Sequence, residues 1–189
     1  MDARNLLSLS GMLFVLGAAG YYWGMGHQRG LAPDADEASR PDYVITGIRS
    51  QESDAQGRLL RRLQASELRH YDAPQDRAEV DRPVFTLYDE GKEAWRVTAQ
   101  RGTSFNQNEE VRLEGGVHAE RRDPAALPLT FDAAALTVFP REERLLTQAA
   151  VRIESPQGQL VSQGLEARLK TGELVLLQNV TGNYAPASR

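Results

Sequence analysis

Residues 111–120 read VRLEGGVHAE, an alternation of apolar and polar positions with two glycines set in its middle. Residues 145–154, LLTQAAVRIE, and 174–183, LVLLQNVTGN, repeat the line. Val111, Leu145 and Leu174 share one column, and Val117, Val151 and Val180 share another. A weaker copy, AEVDRPVFTL, occupies 78–87 with Arg82-Pro83 in the place of the glycines. Each copy follows a turn and an earlier alternating stretch: LLRRLQASELRHY (59–71), WRVTAQRGTSF (95–105), LTFDAAALTVF (129–139) and QLVSQGLEARL (159–169). Period two over such lengths makes strands with one buried face. A hairpin recurring about every 30 residues cannot bury its own apolar side and must stack on its neighbours. No 3.6 period is sustained between 43 and 184, and EARL (166–169) sits in a strand slot. The expected fold is all-β: an antiparallel β-jellyroll of serial long hairpins, apolar side inward.

The middle pair changes from Gly-Gly to Ala-Ala to Gln-Asn, which points to a shared bend rather than a shared reactive atom. Strict alternation puts Gly115 on the buried face and Gly116 on the outer one. It also puts Val97, Ala99, Phe105, Leu113, Val117, Phe131, Ala133, Phe139, Val151, Ile153, Leu169 and Leu176 inside. These side chains either fill a core or line a groove able to hold an acyl chain. Arg82 and Arg101 also fall inside by the same rule. Either a bulge shifts the register there, or they stand at a groove mouth suited to lipid phosphates.

Enzyme chemistry is missing. His27, His70 and His118 have no His, Asp or Glu at ligand spacing, so no metal site is expected, and no cofactor. GxSxG, HExxH, P-loop and GxGxxG motifs are absent, and Glu109-Glu110 and Glu142-Glu143 occupy turns where carboxylates face solvent. No catalytic residue is assigned. A formal net charge of −4 gives no basic footprint for nucleic acid, and the lack of cysteine excludes a disulfide framework.

The amino-terminal end is different in kind. After a leader (1–5), residues 6–26, LLSLSGMLFVLGAAGYYWGMG, run 21 positions without a charge. As a helix this spans roughly 32 Å, against a hydrocarbon core of about 30 Å. Tyr21, Tyr22 and Trp23 stand near its far end, where an interfacial aromatic belt belongs. The competing reading is a cleaved signal peptide with Gly17-Ala18-Ala19 at the processing site. The length of the run favours a single-pass anchor, with the amino terminus in the cytoplasm. Residues 27–42 read as a linker, 43–185 as the folded domain and 186–189 as a tail.

Taken together, the span, the linker and the serial hairpins resemble the LptC family, the membrane-anchored periplasmic component of lipopolysaccharide export. The most specific stretch is 54–105, with Gly57 before a strand, Ala65, Tyr71, the D-R-P-V step at 81–84, and Trp95 with Ala99. RLEGGVHAERR (112–122) and LVLLQNVTGNY (174–184) resemble the family's L-x-G-x-V strand ends. The resemblance implies a non-enzymatic roll in the inner membrane. It would receive lipopolysaccharide from the LptB, LptF and LptG transporter and pass it to LptA, acyl chains along the inner face. An N-terminal edge around 43–50 and 59–69, including Tyr43, Ile45, Gly57 and Leu59, would dock on the transporter. A C-terminal edge at 174–182, with Leu174, Val180 and nearby Gly158, would dock on LptA by strand addition. The alternative is an anchored adaptor that joins envelope proteins edge to edge without touching lipid.

Overall fold

A computed structural model describes residues 40–72, 75–142, 144–168, 171 and 173–184. The expected membrane span (6–26), Leu169, and all but the end of the linker lie outside them. Eleven strands follow in order: β1 (Tyr43–Ser53), β2 (Leu59–Tyr71), β3 (Arg77–Asp81), β4 (Val84–Asp89), β5 (Lys92–Thr98), β6 (Arg101–Phe105), β7 (Glu110–Arg121), β8 (Thr130–Phe139), β9 (Arg144–Ser155), β10 (Gly158–Arg168) and β11 (Glu173–Tyr184). All belong to one antiparallel sheet. β3 and β4 form two halves of one broken strand beside β2, as β5 and β6 do beside β7. The sheet therefore runs as a meander from β1 to β11, and these two strands are its edges.

The central pair of the repeated line is a bulge in every full copy. Three steps along β7 (Glu114 to Val117) oppose two along β8 (Ala135 to Ala133). Three along β9 (Thr147 to Ala150) oppose two along β10 (Leu165 to Gln163). Three along β11 (Gln178 to Thr181) oppose two along β10 (Gln163 to Val161). Gly115 and Gly116 are both left-handed, with φ of 81° and 86°. In the weak copy the strand breaks instead, with Arg82 at φ 51°. One extra residue bends the chain and raises its twist.

The bend resets the alternation, and this is where strict period two fails. Buried residues step by three across it on the outgoing strands: Ala65 to Leu68, Ala99 to Gly102 and Ala133 to Leu136. They step by four on the return strands: Leu113 to Val117 and Thr147 to Val151. Both halves of each strand thus face one interior. Leu165 and Ala167 lie beyond the bend from Ala133 and Val151, yet the four share one apolar cluster. The sheet is folded on itself, half against half.

Gly115 lies exposed at its bulge rather than on the buried face. A β-carbon there would sit 2.6 Å from Gln100 Cβ, whereas at Gly116 it would meet open space. Gly115→Val should therefore destabilise by about 2–3 kcal/mol, combining left-handed strain with a clash. Gly116→Ala should cost only the strain, about 1–2 kcal/mol. Urea denaturation of the two variants ranks them, and equal losses would remove the role assigned to Gln100.

Candidate lipid groove and sheet edges

The interior assembles from side chains that local sequence places on one side of each half-strand. Val97, Ala99, Leu113 and Val117 belong to one apolar cluster with Leu63, Phe85 and Leu136. Ala133, Val151, Ile153 and Leu176 belong to a second, and Phe131 packs against both. The apolar lining is thus continuous from β2 to the edge strand β11. Its centre is tightly closed, with Val117, Val151 and Leu165 each 1% exposed. Towards β11 it loosens: Leu176 is only half-buried.

Two expected lining residues lie elsewhere. Past the break at Ala99-Gln100, Gly102 and Ser104 face inward, which turns Phe105 outward beneath the Arg112 guanidinium, 4.8 Å from its ring centroid. Leu136 and Val138 take the inward positions on the second half of β8. Phe139 lies on the other side, under Arg144 at 4.3 Å. The same reset exposes Arg101, and Arg82 stands exposed at its own break, so the bulge explains both and no groove mouth is needed. Leu136 and Val138 were hidden from period two by the one-residue shift.

Arg61 is an inward residue that the pattern did not single out. It is 4% exposed in the column of Leu63 and Ala65. Its Nε donates to Glu52 Oε2 at 2.6 Å and its Nη2 donates to Glu52 Oε1. A buried guanidinium requires such a partner, and the signal in sequence was only the i, i+2 spacing from Leu63.

The edges carry the exposed apolar surface. Among the described residues, apart from Leu127, every large exposed hydrophobic residue lies on β1, β10 or β11, including Ile45, Leu174 and Val180, the last two about half exposed. Leu59 belongs to β2, which pairs on both sides, so 59–69 is not an edge; β1 is. Tyr43 is stacked on His70, centroids 4.7 Å apart. Gly57 sits at φ 78° in the β1–β2 turn with open space around it, where Asp54 accepts from the amides of Gln56 and Arg58. Gly158 is held by packing: a β-carbon there would lie 2.1 Å from the Asn183 carbonyl oxygen.

The family model described as lipopolysaccharide-assembly, LptC-related, matches residues 11–185. The chain belongs to the LptC family. Its place is therefore in lipopolysaccharide assembly. No curated protein matches this LptC-family chain. A similar solved structure is LptH from Pseudomonas aeruginosa, described as the LptA-homologous periplasmic component of the conserved lipopolysaccharide transport device. The two share 11% identity and a TM-score of 0.48, over 79% of this chain and 99% of that one, too distant a likeness to transfer a function.

The histidines of this LptC-family chain are less isolated than their spacing suggests. His118 Nδ1 lies 2.7 Å from Asp132 Oδ1, its cross-strand partner on β8. His70 gathers three aspartates: Asp76 Oδ1 is 3.2 Å from Nε2, and Asp42 Oδ2 and Asp72 Oδ1 lie 3.4 and 3.9 Å from Nδ1. Sequence distance concealed the first pair, since only the β7–β8 register brings 118 to 132. The second group needed the β1–β2 pairing to carry Asp42 back to the end of β2.

Proposed function

We propose that the chain is a non-enzymatic lipopolysaccharide conduit: a periplasmic β-jellyroll preceded by one transmembrane helix, amino terminus in the cytoplasm. It receives lipid from the LptB, LptF and LptG transporter at β1 and its membrane span. It passes that lipid to LptA at β11, with acyl chains between the two halves of the folded sheet. The observation that carries this reading is the apolar lining that continues, uncapped by any further strand among the described residues, to an exposed apolar edge. Because no ladder among the described residues joins one half of the folded sheet to the other, the halves can part on their open side without breaking one. Nine of the expected lining positions, Val97, Ala99, Leu113, Val117, Phe131, Ala133, Val151, Ile153 and Leu176, share that interior. The adaptor reading, in which the edges pair and no lipid enters, uses the same edges and leaves the loosened lining at Leu176 without a purpose.

A photocrosslinking amino acid at Phe131 or Leu176 should capture lipopolysaccharide when the transporter hydrolyses ATP. The same probe at Phe105, which faces outward, should capture little. Equal capture at all three positions, or none at the inner two, would leave the adaptor as the better account.

A further inference from the structure

We propose that His70, Asp42 and Asp72 form a binding site for a first-row divalent cation of the Zn2+ type, clamping the start of the folded domain onto the end of β2. The inference is independent of lipid transport. It begins with the proton inventory of one ring. A carboxylate only accepts, so the contact from Nε2 to Asp76 Oδ1 places the ring hydrogen on Nε2. In the neutral ring Nδ1 then presents a lone pair. It is buried and has no hydrogen-bond partner, and it faces oxygens of two carboxylates, Asp42 and Asp72. Three acceptors converging on one point repel unless a cation sits among them.

The geometry suits an ion. The three ligand atoms lie within 4.8 Å of one another. Metal–ligand bonds of about 2.0–2.1 Å in a tetrahedral site separate neighbouring ligand atoms by roughly 3.3 Å. The Nδ1–Asp42 distance of 3.4 Å already meets that spacing. The Asp72 oxygen, at 3.9 Å, must close by about half an ångström; its side chain is 81% exposed and free to do so. Asp76 on the far nitrogen is the outer carboxylate that fixes a ligating imidazole's tautomer and orientation. Tyr43 stacks on the ring, 5° from parallel, and holds its plane. Asp42 is anchored too: its amide donates to the His70 carbonyl at 2.8 Å, and its Oδ2 accepts from the Asp72 amide. One imidazole with two carboxylates favours a Zn2+-like ion over Ca2+ or Mg2+, which gather oxygen ligands in larger or more hydrated shells.

The test is calorimetric titration of the purified, tag-free full-length chain with ZnCl2. One equivalent should bind saturably. His70→Gln and Asp42→Asn should each weaken binding at least about tenfold, Asp76→Asn by roughly 10- to 100-fold, and His118→Gln should leave it unchanged. Co2+ added to the unaltered chain should broaden the ring resonances of His70 and Tyr43 and spare His118, which requires no variant to fold. No saturable binding, affinity that survives His70→Gln, or broadening centred on His118 would overturn the proposal.

Discussion

Leu165→Ala is expected to lower the unfolding free energy by about 3–5 kcal/mol, near the upper end for buried leucines. Leu165 is 1% exposed and is one of the residues through which one half of the fold meets the other, packing with Ala133, Val151 and Ala167. Two of those neighbours are alanines, which have no torsional freedom with which to fill a void. Nor can the backbone collapse, because β10 is hydrogen-bonded to β9 on one side and β11 on the other. A cavity therefore persists, and its cost adds to the lost transfer free energy. Leu174→Ala removes the same atoms from a side chain 50% exposed on the edge strand, and should cost no more than about 0.5 kcal/mol. Urea denaturation of the full chain compares the two. Similar losses would mean that the halves are not packed through Leu165.

The contrast between these leucines also shows what the sequence could reveal. Both sit in alternating stretches, and period two identified both strands, their partners and their turns. The hairpin 129–139 with 145–154 emerges as β8 with β9 almost residue for residue. The central pair was legible as a bend because glycine, alanine and Gln-Asn share no chemistry but share a column. Its consequence was not legible. Whether an extra residue shifts the facing of the next residues depends on how the neighbouring strand answers the bulge, and that is a property of the ladder. Phe105, Phe139, Leu136 and Val138 were misplaced or missed for this single reason. The His70 group was illegible for another: Asp42, His70 and Asp76 belong to three segments, which the β1–β2 and β2–β3 registers join. Leu59 failed as an edge residue because a hairpin repeat does not announce which strand lies outermost.

β11 is where a partner has most to gain, and two charges there should abolish docking. An edge strand left open is a template for another chain, and proteins that must stay monomeric guard such edges with lysine, proline or inward charge. The sequence of β11, ELVLLQNVTGNY, contains no lysine, arginine or proline, and its only formal charge is Glu173 at the start. Along it, Leu174, Val175, Leu177 and Val180 stand exposed. At the other edge, β1 carries both Arg49 and Glu52. An unguarded, apolar, twelve-residue edge would suit the proposed continuation of the sheet into LptA. Leu174→Lys with Val180→Lys should weaken capture of purified LptA at least about tenfold, since each lysine would have to be desolvated against an apolar strand. Stability should change by less than about 1 kcal/mol, because both side chains already lie half in water. If the doubly charged chain still captures LptA as the unaltered one does, the partner docks on another surface. If it loses LptA yet still takes lipopolysaccharide from the transporter at Phe131, receipt and delivery are separate events at opposite edges of one sheet.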